Sequence, residues 1–141
     1  MKIVLDNGAI MPTRAHENDA GLDLYAKHNA VIRPNERALF DTGVHVQIPA
    51  GFVGLLTSKS GMMLKDGITS RGTIDSDYTG SIHAVLFNHG DKCVKIKKGQ
   101  KITQLVIMPI ITPELELVDS LEETERGAGG FGSTGAFEVI R

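Results

Sequence analysis

Much of the chain alternates apolar and polar residues with a period of two. In Val44-His45-Val46-Gln47-Ile48 the apolar side chains fall on one face of a strand, and His45 and Gln47 on the other. Leu22 and Leu24 likewise alternate with Asp23 and Tyr25. Ile82 to Phe87 is apolar, Asn88 to Lys92 is rich in turn formers, and Val94-Lys95-Ile96-Lys97 alternates again, which predicts a hairpin. Pro49-Ala50-Gly51 turns the chain into another strand, Phe52 to Leu56. Glycines at 43, 51, 61, 72, 80, 90 and 99 punctuate these segments, and such spacing points to an all-β sandwich or barrel. Only Ser60 to Lys65, rich in helix formers and followed by Gly67, suits a short helix.

The last third changes character. Glu114 to Glu125 is acidic, and Leu115 and Leu117 alternate with Glu114 and Glu116 as in a strand. Beyond it, Arg126 to Gly135 holds five glycines in ten residues, too few side chains for a core and the largest entropy cost of ordering. The expected organisation is a β-domain over 1–125 and a Gly-rich arm over 126–141.

Composition narrows the function. With 141 residues and 41% apolar content the chain can bury a core without staples. A net charge of −2 offers no basic field for coating nucleic acid, so an anion must be held by local chemistry. Cys93, the only cysteine, excludes a disulfide framework and a Cys-rich zinc site, and makes a reducing cytoplasm the default location. The apolar run Leu105 to Ile111 is interrupted by Pro109 and is far short of the about 20 residues of a membrane helix. His16, His28, His45, His83 and His89 lack metal-binding spacing and read as surface or strand-edge residues.

Several stretches carry candidate chemistry. Gly127, Gly129 and Gly132 spell a dinucleotide fingerprint without the βαβ context it needs. Their backbone N–H groups, with Arg126, Ser133 and Thr134, still suit a phosphate, whereas the plainer reading is a flexible tail. Thr57-Ser58-Lys59-Ser60-Gly61 is a second anion cradle, or else Ser60 simply caps the helix. Gly72-Thr73-Ile74-Asp75-Ser76-Asp77-Tyr78-Thr79-Gly80 reads as a hairpin tip whose carboxylate can take a proton from water or contact a sugar hydroxyl, or merely stabilise a turn. Asp23 is placed either to hold a hydrated metal or to face water.

Taken in order, Ala20 to Tyr25, Ser60-Gly61, Gly72 to Gly80, Gly99 to Leu105 and Arg126 to Gly135 resemble the five motifs of the trimeric dUTPase family, over roughly residues 20 to 135. The resemblance implies a jelly-roll-like fold and Mg2+-assisted hydrolysis of dUTP to dUMP and pyrophosphate. That activity limits uracil entry into DNA and supplies dUMP for thymidylate synthesis. It also implies a homotrimer with active sites at subunit interfaces, closed by the glycine-rich arm. By the same resemblance Asp75 is the base for the attacking water, and Tyr78 packs on the deoxyribose and excludes a 2′-hydroxyl. Gly72, Thr73 and Ile74 belong to the nucleoside-binding hairpin. Ser60, Gly61 and Gln104 meet phosphate, Asp23 meets hydrated Mg2+, Arg126 meets the γ-phosphate and Phe131 stacks on uracil. Gly132, Ser133 and Thr134 complete the phosphate contacts. Lys59, where arginine is usual, exchanges a bidentate fork for a point charge; Gln100 and Thr69 also depart from the pattern. The rivals are a dCTP deaminase, which needs a glutamate the Gly72–Gly80 stretch lacks, and a nucleotide-responsive regulatory module with a protein partner. Neither nucleic acid nor membrane is an expected partner.

Overall fold

Alternation becomes pairing in the computed structural model, which describes residues 1–131. The central sheet has six antiparallel strands in the order β2-β10-β6-β7-β8-β4. These are β2 (Gly21–Tyr25), β4 (Arg37–Asp41), β6 (Phe52–Thr57), β7 (Ile68–Ile74), β8 (His83–Asn88) and β10 (Lys101–Pro109). Two ribbons accompany it: β1 (Lys2–Leu5) with β5 (Val44–Gln47), and β3 (Ala30–Ile32) with β9 (Val94–Ile96). The fold is all-β and jelly-roll-like, with a single helix among the described residues, α1 (Ser60–Asp66).

The alternation of β5 is realised as written: Val44 and Val46 are buried, His45 is half-buried and Gln47 exposed. Two apolar clusters result. Leu24, Val44, Val46, Ile48, Leu56, Ile74, Ile82 and Leu105 form one beneath the β1–β5 ribbon. Ala26, Ile32, Phe40, Met62, Ile68, Ala84, Leu86, Ile96 and Ile102 form the other, towards β3–β9 and the helix. Each fully buried Leu or Ile contributes about 1.5–3 kcal/mol, so the two clusters hold the sheet rigid behind its outer face.

Three expectations are corrected. The hairpin from Ile82 to Lys97 does not form: β8 pairs with β4 and β7, whereas β9 crosses to pair with β3. The turn residues are real, but Asn88 spends its side-chain amide on the carbonyls of Ile32 (2.9 Å) and Lys92 (2.8 Å), redirecting the chain instead of folding it back. No strand forms over Glu114–Leu117; with no sheet edge beside it, that stretch leaves Leu115 and Leu117 fully exposed. The helix is where expected and ends at Gly67, with φ 66°, but its N-cap is Lys59, without a side-chain cap bond, and Ser60 is its first residue.

Candidate active site

The register of the central sheet sets Asp23, Gln104, Thr57 and Arg71 side by side across β2, β10, β6 and β7. Directly paired residues share a face, so these four side chains line the outer surface opposite the core. Asp23 is buried there (4% exposed) because ammonium groups cover it. Lys59 contacts its Oδ1, and Lys101 Nζ lies 2.7 Å from its Oδ2. Burial pushes the Asp23 carboxyl up, but hydrogen bonds and charge from Lys101 and Lys59 outweigh it and hold the group below its ordinary value.

Lys101 reaches Asp23 through an irregularity. Strict alternation would send Lys101 and Gln104 to opposite faces, but the register shifts between Lys101 and Thr103, and both emerge outward. Gln104 lies across Gly21, where a Cβ would stand 2.5 Å from its Oε1, and its Nε2 donates to the Ser58 carbonyl at 3.2 Å. Ser58 in turn donates its hydroxyl to the Ser70 carbonyl (3.1 Å) and accepts from the Ser70 amide (2.9 Å). The segment that delivers Lys59, Ser60 and Gly61 is thus tied to β7 and β10. Lys101 and Arg71 were not singled out from the sequence. A bulge leaves no composition signal, and Arg71 becomes notable only through its row partners.

The second group sits on the β7–β8 hairpin. The two strands pair from Ile68↔Asn88 to Ser70↔Leu86 and then part. Beyond that point Arg71–Ile74 keep their partners on β6, and His83–Val85 theirs on β4. The facing edges of the hairpin therefore carry backbone donors and acceptors with no strand of the described residues between them. Gly72, Thr73 and Ile74 lie on this open edge. Asp75 follows directly and is exposed, and among the described residues its carboxylate has no hydrogen-bond partner. Tyr78 folds over Gly80, where a Cβ would meet the ring hydroxyl at 2.5 Å, and its OH donates to the Ser81 carbonyl at 2.9 Å.

The base of the loop is firm. Thr42 Oγ1 donates to the Ile82 carbonyl at 2.7 Å, and the Ile82 amide donates to Val44 at 2.8 Å. The Ser81 hydroxyl donates to Asp41. That hydroxyl, then the Gly43 amide and Lys27, hold the Asp41 carboxyl down at about 2.

The third group lies on residues 110–131, which form no strand or helix. Arg126 Nε donates to the Gly129 carbonyl at 2.9 Å, and the Phe131 ring is fully exposed. Gly132, Ser133 and Thr134 lie outside the described residues. The Ser58–Ser70 bonds and the β6–β7 pairing join the first two groups, whereas among the described residues no hydrogen bond or ion pair joins residues 110–131 to either of them within one chain.

No set of three or more His, Cys, Asp or Glu residues among those described could cage a metal. Asp23 has both oxygens on lysines, so direct ligation does not suit it. A carboxylate still has lone pairs to spare, and the donor set fits Mg2+ carried by phosphates with its own water shell.

The sequence matches the dUTPase family model over residues 7–135. It is 43% identical to the deoxyuridine 5′-triphosphate nucleotidohydrolase of Clostridium tetani, over 94% of this chain and 93% of that one. The fold superposes on the dUTPase of Staphylococcus bacteriophage 80alpha solved with dUpNHpp, at a TM-score of 0.88, with 36% identity and coverage of 95% and 97%. A mutant dUTPase of phage phi11 of S. aureus, described for the coordination of a structural Mg(II) ion, superposes at 0.79, with 33% identity and coverage of 86% and 98%. By sequence and by fold, the chain belongs to the dUTPase family.

Proposed function

We propose that this protein hydrolyses dUTP to dUMP and pyrophosphate by attack of water on the α-phosphorus, which would limit uracil entry into DNA and supply dUMP for thymidylate synthesis. The observation that carries the reading is the parted β7–β8 hairpin with an exposed Asp75 at its mouth, its carboxylate without a hydrogen-bond partner among the described residues. Free backbone groups along Gly72–Ile74 and on facing β8 suit the edge of a pyrimidine. Uracil offers an acceptor at O4 and a donor at N3, the reverse of cytosine, so a fixed backbone pattern satisfies one base and leaves the other unpaired. Tyr78, braced on Gly80, would pack against the deoxyribose where a 2′-hydroxyl would need room. Asp75 would take the proton from the attacking water, worth about 10²–10⁴-fold.

The triphosphate falls to the other two groups. Ser60, Gly61 and Gln104 would donate to its oxygens, and Arg126 would meet the γ-phosphate. Phe131 would cover the base, and Gly132, Ser133 and Thr134 would close over the phosphates. When bound, a hydrated Mg2+ supplies charge neutralisation on the phosphates, with Asp23 accepting from its water shell. Because residues 110–131 make no bond to the other two groups among the described residues, the reading brings this stretch onto the site between copies in a homotrimer, with 126–141 acting as an arm over 1–125. No helix of the described residues is long and apolar enough to cross a membrane, and we place the enzyme in the cytoplasm.

A second reading has one observation behind it. The phage 80alpha relative is described as controlling transfer of virulence genes by a proto-oncogenic G protein-like mechanism, so a nucleotide-responsive regulatory role with a protein partner can accompany the activity. Incubation with dUTP, dCTP, dTTP and UTP, with and without Mg2+, tests the proposal. Pyrophosphate from dUTP alone is the expected result. Ammonia from dCTP would point to a deaminase, and absence of turnover to a purely regulatory protein.

A further inference from the structure

The loop that carries Asp75 and Tyr78 is well held at its base but not at its tip. Within residues 75–80 the Tyr78 amide donates to the Asp75 carbonyl at 3.2 Å, and the Tyr78 hydroxyl reaches only to Ser81. Among the described residues a single hydrogen bond comes to this stretch from outside the loop: His45 Nδ1 to the Thr79 carbonyl, 2.9 Å. The other ring nitrogen, Nε2, lies 3.1 Å from Asp6 Oδ1, just beyond β1.

Both partners are acceptors only. A carbonyl and a carboxylate each need an N–H, and a neutral imidazole has one to give while the imidazolium has two. We propose that His45 is a positioning residue for the reaction, which in its protonated form ties the active-site loop at Thr79 to the N-terminal segment at Asp6 and so fixes where Asp75 and Tyr78 stand. This rests on the reading of Asp75 and Tyr78 as the nucleoside-side residues of the site. Deprotonation withdraws one of the two donors, and either the loop or the Asp6 anchor is released.

The surrounding charges favour the clamped state on balance. The Thr79 carbonyl, then Asp6, then the more distant Asp41 raise the basicity of His45 above its ordinary value, against the opposing effect of desolvation. Lys27 stands 3.9 Å from Asp6 Oδ2 and 3.4 Å from Asp41 Oδ2, tempering both carboxylates. Lys2 lines the same shallow depression as His45 and Thr79. The sequence placed His45 only on the polar face of a strand; its two partners lie 39 residues before it and 34 after it.

Steady-state turnover of dUTP by the full chain from about pH 6 to about pH 9 brackets the imidazole titration and tests the clamp. Three proteins are compared: the native chain, His45→Lys, which stays protonated throughout, and His45→Gln, which never carries charge. We expect kcat/KM of the native protein, divided by that of His45→Lys at each pH, to fall about two- to tenfold as His45 loses its proton. His45→Gln should sit at the lower level at every pH. In parallel, NMR titration of the His45 ring should give a midpoint that drops in Asp6→Asn, and amide protection of residues 76–80 should decline through the same midpoint. A flat native-to-lysine ratio, or a ring midpoint indifferent to Asp6→Asn, overturns the proposal. If the native chain does not act on dUTP, the functional reading fails by itself, and the ring titration and amide protection still decide whether the clamp exists.

Discussion

Asp23 and Asp75 are the same side chain in opposite circumstances. Asp23 lies on the flat of a six-stranded sheet, 4% exposed, with one lysine at each oxygen. Asp75 lies at the mouth of a parted hairpin, exposed and, among the described residues, with nothing bound to its carboxylate. A carboxylate whose lone pairs face two ammonium groups is a poor base, because taking a proton forfeits both pairings. One with free lone pairs can meet a solvent molecule. The difference teaches that in this fold charge is built in where the sheet is continuous and left open where the sheet divides.

Replacing Asp75 by Asn should produce the largest effect on turnover. We expect kcat for dUTP to fall about 10²–10⁴-fold while affinity for dUpNHpp and unfolding free energy, the latter within about 0.5 kcal/mol, stay put. Near-native kcat would remove Asp75 from the chemistry. Asp23→Asn should do the reverse to stability. Two charge-assisted contacts are lost, and urea unfolding should show a loss of about 1–3 kcal/mol, moderated because Lys59 and Lys101 are partly exposed and can turn to water. An unchanged midpoint would mean that the lysines gain as much from solvent as from Asp23. Phe131→Ala tests the arm against both: with its ring fully exposed, stability should not move, while KM for dUTP rises about two- to tenfold through lost stacking. A smaller effect is expected in acid. Asp41, held down at about 2, contributes stability in full above its ordinary pKa of 3.8 and loses it as pH falls through about 2. In Asp41→Asn that part of the acid-stability curve should flatten.

Strands with a regular alternation were legible: β2 and β5 appear in the alternation of Leu22, Leu24, Val44 and Val46, whereas β3 and β4, which bury Ile32 and Phe40, were not read. The helix was legible from its formers and from Gly67. Partner choice was not. Turn residues at 88–92 mark a change of direction, but only the tertiary bonds of Asn88 to Ile32 and Lys92 decide that the chain crosses to β3. Leu115 and Leu117 have the alternation of a strand without an edge to receive it. In the site, ordered motifs named Asp23, Gln104 and Asp75. The cover that Lys101 gives Asp23 depends on a bulge, and the His45 bridge on a fold that closes distant segments, so neither has a local signature.

The bridge from Thr79 through His45 ends at Asp6, one residue past the strand that begins at Lys2. Recombinant handling of this protein therefore has a tender spot around Asp6. A fusion partner that tugs on the first six residues would be felt at the loop of Asp75, and assays on tagged and cleaved preparations should be compared before any rate is assigned to the enzyme.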